Sequence, residues 1–190
     1  MEAFSDGVIA ILITVMVLEL PTPRGITWSA LHGSLPVLLA YVLSFVYLGI
    51  YWNNHHHMLQ ATDRVSGLIL WANLHLLFWL SLIPFTTAWM GENQFAAIPA
   101  AAYGIVLLAA AVAFYAVERA IISNQGEGSL VATAVGRDLK GKVSPLLYAA
   151  GVCLAFLDHW LAVAVYAGVA LMWLVPDRRF ERTVAAGVTE

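Results

Sequence analysis

Three histidines stand side by side in "YWNNHHHML", at His55, His56 and His57. Imidazole ligates metals and titrates near neutral pH. Metal binding and proton handling are therefore the chemistries to weigh. On a helix the three rings fan out over about 200°, so they do not converge on one ion. The sequence shows no second cluster of His, Cys or carboxylate to complete a site, and no metal site is expected. Trp52, His55, His56 and Leu59 follow i, i+3, i+4, i+7 and share one helical face. At least one of these histidines is expected to hydrogen-bond within the bundle, and Trp52 suits an interfacial anchor. Asn73 and His75 sit in the apolar run "LILWANLHLLFWLSLIPF". Such polar groups hydrogen-bond across helices. A network of Asp6, His55 and Asn73 is feasible by depth, and three separate local bonds is the open alternative. Asp158 and His159 in "LDHW" read as a solvated cap, not a catalytic dyad.

The motifs of soluble catalysis are missing. There is no Walker A loop, no Gly-x-Ser-x-Gly, no His-Glu-x-x-His and no dinucleotide fingerprint. No enzyme is expected. The "TVGYG" potassium filter and an Arg-rich voltage sensor are also absent, which excludes an ordinary pore-loop channel.

The elements that carry these residues are membrane helices. The 190 residues are 61% hydrophobic and 11% charged, with a mean hydropathy of +0.80. Soluble domains are about half apolar and about a quarter charged. A water-soluble fold of this length lacks the polar surface to hide that excess. The net charge of -3 gives no case for nucleic acid. The single cysteine, Cys153, excludes an internal disulfide framework and reads as a small buried hydrophobe.

Six segments approach the roughly 20 residues of a spanning helix. They run from Phe4 to Leu20, from about Leu35 to Met58, from about Val65 to Met90, from near Ile98 to near Ile122, from Ser144 to Leu157 and from Trp160 to Val175. "LDHW" is the tight turn of the last pair, with one long helix as the alternative. The first segment is no signal peptide, since "MEA" is not basic and no Ala-x-Ala site follows. With the N-terminus inside, Arg64, Arg119, Arg137, Lys140, Lys142, Arg178, Arg179 and Arg182 all fall inside, and only Arg24 outside. That bias fits six spans with cytoplasmic termini. "SNQGEGSLVATAVGRDLKGK" should mix loop with a short interfacial helix. Residues 1–176 form one transmembrane domain and 177–190 a cytoplasmic tail.

On a wheel of about 100° per residue, the first helix divides. Phe4, Gly7, Ile11, Val15 and Leu18 form one stripe, with Thr14 on its flank. Asp6 falls on almost the opposite side. A carboxylate within a span points into protein or water, so Asp6 should face neighbouring helices. The stripe is then left for lipid, for another helix, or for an axis shared by copies of the chain.

Taken in order, "FSDGVIAILITVMVLEL", "YWNNHHHML", "LWANLHLLFWLSLIPF" and "LVPDRR" resemble the endosomal and lysosomal potassium channels. The likeness is to the prokaryotic members and covers nearly the whole chain. It implies an all-α, six-helix unit, a homotetramer in a prokaryotic plasma membrane, and a central pore lined by first helices. It implies a leak-like conductance favouring potassium over sodium, with no cofactor beyond the permeant ion. By position it implies an apolar constriction at Ile11, Val15 and Leu18, and a selectivity role for Thr14. It also implies a network of Phe4, Ser5, Asp6, His55 and Asn73 that braces the pore helix. The family motif has an arginine four residues before its phenylalanine, a position that precedes Met1; either the sequence is trimmed there or its start differs, and the network is expected without that member. His56, His57 and His75 exceed the pattern. A proton-coupled transporter using Asp6 and buried histidines is the alternative function, and a non-conducting scaffold a third.

Overall fold

The structure is a computed structural model, and it describes residues 1–62, 64–126, 128–129, 131–132 and 139–174. It is all-helical over those residues. The elements are α1 (Glu2–Leu18), α2 (Trp28–His32), α3 (Leu35–Gln60), α4 (Gly67–Ser81), α5 (Ile83–Glu92), α6 (Ala97–Gln125), α7 (Leu139–Leu154) and α8 (His159–Leu174). Three helical stretches are long and apolar enough to cross a membrane: Leu35–Gln60, Gly67–Glu92 and Ala97–Gln125. α1 and α8 are apolar but shorter.

Local chemistry sets the helix ends. α1 stops before Pro21 and Pro23, which cannot continue it. Pro36 opens α3 within its first turn, where a missing N–H costs nothing. The Ser66 hydroxyl caps α4 by accepting the Ile69 N–H at 3.4 Å. α4 and α5 are halves of one expected segment, interrupted at Leu82 two residues before Pro84. The Asp158 carboxylate accepts the Trp160 N–H at 2.8 Å and caps α8. "LDHW" is thus a turn, and the single long helix is ruled out.

The structure departs from the sequence expectations in several places. α7 begins at Leu139, five residues early, and runs through Pro145. The Ser144 hydroxyl donates to the Lys140 carbonyl at 2.8 Å in that turn. α2 was not expected. Cys153 is exposed on the outer face of α7, not buried. A thiol that packs like a methyl group suits an apolar outer face as well as a core. Most of the polar connection after α6, and the tail from residue 175 on, lie outside the described residues.

α6 is the hub. It packs against α4, α5, α7 and α8. Its buried Ala100, Ala101, Ala110, Ala113 and Ala120 let those helices approach closely. α1 lies to one side, against α3, α4 and α5. Among the described residues the core holds five buried tyrosines, Tyr47, Tyr51, Tyr103, Tyr148 and Tyr166. The Tyr47 hydroxyl donates to the Tyr166 carbonyl at 2.6 Å, and the Tyr103 hydroxyl lies 2.9 Å from Ser44. Ser44 in turn meets Thr87 at 2.6 Å, so the hydroxyls are satisfied without water. The Tyr166 ring fits where Gly104 and Gly151 have no side chain, and a Cβ at either would overlap it.

The outer surface is apolar too. Leu68, Trp71, Phe85, Ile98, Leu146 and Leu171 are all more than half exposed. An apolar perimeter of this kind suits acyl chains, not water.

Candidate functional site

α1 presents two faces. Ser5, Ile9, Leu12 and Met16 are buried against the bundle. The stripe on the other side is bare: Phe4 is 58% exposed, Ile11 60% and Leu18 83%, with Val15 less so. Gly7 and Thr14 are exposed between them. The exposed side is continuous along the helix, as the periodicity requires. The Thr14 hydroxyl donates to the Ile11 carbonyl at 2.8 Å. Its hydrogen is thus tied to the helix, and its lone pairs point outward.

Behind this face a chain of hydrogen bonds ties three helices together. Asn73 of α4 is the centre. Its Nδ2 donates to the Ser5 hydroxyl of α1 at 3.0 Å. Its Oδ1 lies 2.7 Å from His55 Nε2 of α3. An amide oxygen only accepts, so His55 carries a proton on Nε2. Ser5 passes its own hydrogen to the Met1 carbonyl at 3.3 Å. Ser5, His55 and Asn73 are each at most 2% exposed. In so dry a place every unmade bond would cost the desolvation of its group.

Asp6 is not in this chain. The expected partners were His55 and Asn73, but the α1 member is Ser5. Successive residues on a helix differ by about 100°. The pair Ser5 and His55 therefore turns toward α4, while Asp6 and His56 turn away together. Asp6 Oδ2 lies 3.5 Å from His56 Nδ1, and Glu2 Oε1 lies 3.2 Å from the same nitrogen. Glu2 and Asp6, one turn apart, supply carboxylates beside a histidine that the sequence reading left without any. Their i, i+4 spacing was the available signal; the facing histidine on α3 was not foreseeable.

The other singled-out residues are dispersed. Trp52 is exposed and stacks on His56, with ring centroids 5.6 Å apart. His57 is partly buried beside His56 at 5.9 Å. His75 is exposed on α4, and its Nε2 accepts the Trp79 indole N–H at 2.9 Å. Phe4 stands outside the hydrogen-bonded chain on the exposed face. A buried tyrosine core went unforeseen, though each tyrosine lies inside an apolar run.

Comparison with known proteins identifies the family. Residues 1–84 match the family described as the endosomal/lysosomal potassium channel TMEM175. A potassium channel of Chryseobacterium sp. (strain P1-3) is 50% identical over 97% of this chain and 96% of its own length. The fold matches the crystal structure of a lysosomal potassium-selective channel TMEM175 homologue from Chamaesiphon minutus. The TM-score is 0.78 at 30% identity, covering 92% of this chain and 94% of that one. The human endosomal/lysosomal proton channel TMEM175 is 38% identical over 84 residues, which is 16% of its length. The exposed α1 stripe, the braced helix behind it and these full-length matches lead to one conclusion: the chain belongs to the TMEM175 family of membrane channels.

Proposed function

We propose that the chain is a potassium-permeable channel of a prokaryotic plasma membrane. It crosses the bilayer six times with both termini in the cytoplasm, and four copies bring their α1 stripes to one axis. The observation that carries this reading is the bare apolar stripe on a helix whose opposite face is packed and hydrogen-bonded. The 50% identical relative is named a potassium channel, which supports the choice of ion.

Rings of Ile11 would make a dry neck, and apolar necks resist water and ions until they widen. Thr14, one turn from that ring, offers outward hydroxyl oxygens. Potassium sheds water more easily than sodium, so a neck bordered by a few oxygens favours potassium. Four hydroxyls replace a hydration shell poorly, and the preference stays modest. There is no pore-loop filter in this scheme. The conductance is leak-like.

The test is ion flux through purified protein in liposomes. Potassium efflux that rises linearly with its gradient, with weaker sodium flux, is expected. A proton-coupled transporter draws support from the Asp6–His56 pair and from the name of the human relative. It predicts saturable flux coupled to pH, which would overturn the channel reading.

A further inference from the structure

We propose that Glu2, Asp6 and His56 form a divalent metal site, of the zinc type, that joins the first turn of α1 to the last turns of α3. Their ligand atoms all lie within 4.8 Å of one another. The decisive detail is the aim of the histidine. His56 Nδ1 is buried, 3.2 Å from Glu2 and 3.5 Å from Asp6, yet it hydrogen-bonds to neither. Asp6 Oδ1 is likewise buried and without a hydrogen-bond partner. The ring nitrogen is within reach of both carboxylates without bonding to either, and the three groups lie close enough to share one ion.

The two histidine–carboxylate separations fit. Two ligand atoms each about 2.05 Å from a tetrahedral zinc ion lie about 3.3 Å apart. The His56 distances bracket that value. Three protein ligands of mixed N and O type leave the fourth position to water. One imidazole with two carboxylates suits zinc better than magnesium or calcium, which favour oxygen alone.

The surroundings fit as well. A ligating histidine commonly donates its other ring N–H to an amide or carboxylate oxygen, which fixes the ring. Gln60 lies 2.9 Å from His56 Nε2, and turning its amide would present the oxygen. Trp52 stacks on the ring from the other side. The sites of Ser5, His55 and Asn73 adjoin but contribute no ligand. A bound ion would clamp α1 to α3 one residue beyond the Ser5–Asn73–His55 chain.

The test is calorimetric titration of zinc into the untagged, full-length protein in detergent. Binding is read directly, so it does not depend on conduction. About one zinc per chain is expected. Glu2→Gln and His56→Gln should each weaken binding at least tenfold, and Gln60→Ala about tenfold. His57→Asn and His75→Asn should bind as the wild type does. Glu2 is half exposed, so Glu2→Gln carries the test if His56→Gln does not fold. Absence of binding, or undiminished binding in Glu2→Gln, would overturn the proposal.

Discussion

Asn73 carries more than any other single side chain near α1. Its amide meets Ser5 on one side and His55 on the other. Replacing it with alanine deletes two bonds and strands two buried groups. Interhelical hydrogen bonds in membranes average about 0.6 kcal/mol, but stranded groups cost about 1–3 kcal/mol. The second effect dominates here because Ser5 and His55 have no water to turn to. Asn73→Ala should therefore lose about 1–3 kcal/mol, seen as a lower melting temperature. Ile11 behaves in the opposite way. It is 60% exposed, so Ile11→Asn should leave the melting temperature almost unchanged and raise potassium flux several-fold by wetting the neck. Much of this was legible in the sequence. Helical periodicity separated Ile11 from Asp6, and buried amides in apolar helices find partners. Which partner was not legible. Ser5 or Asp6 could have met Asn73, and the rotation of α1 against α4 decided it.

At the scale of elements, the α5–α6 connection stores backbone strain. Gln94 and Phe95 adopt positive φ, at 52° and 60°. The Phe95 N–H reaches the Met90 carbonyl at 2.9 Å and the Gln94 N–H reaches Gly91 at 3.2 Å. This is the paired bonding of a Schellman helix end, in which glycine normally takes the left-handed position. Gln94→Gly should stabilise the protein by about 1 kcal/mol, measured by thermal melting. The tyrosine core gives the reverse case. Gly104 faces the Tyr166 ring with no spare room, so Gly104→Ala should cost about 1–3 kcal/mol through overpacking. Helix positions were legible from apolar runs and prolines, but the break near Pro84 was not, because Val65 to Met90 reads as one continuous span. The start of α7 was not, because a proline in sequence reads as a boundary, and here the helix passes through Pro145. The left-handed turn was hidden as well, since "ENQFA" lacks the glycine that would have announced it.

At the scale of the whole molecule, the proposed assembly rests on one face of α1. α1 is pinned to α3, α4 and α5 on one side only, and its other side offers a continuous apolar stripe with the Thr14 hydroxyl on its flank. The family match and composition gave the class at once. The number of copies could not be read from one chain, because in the proposed assembly the stripes would meet only between copies. The central claim is that these stripes surround the ion path. The direct test is potassium flux through Ile11→Cys in a Cys153→Ala background, before and after a bulky, charged thiol reagent. The account predicts that flux falls at least several-fold on modification, and that the Cys153→Ala parent is unaffected. Unchanged flux through fully modified protein would place Ile11 away from the path and contradict the account.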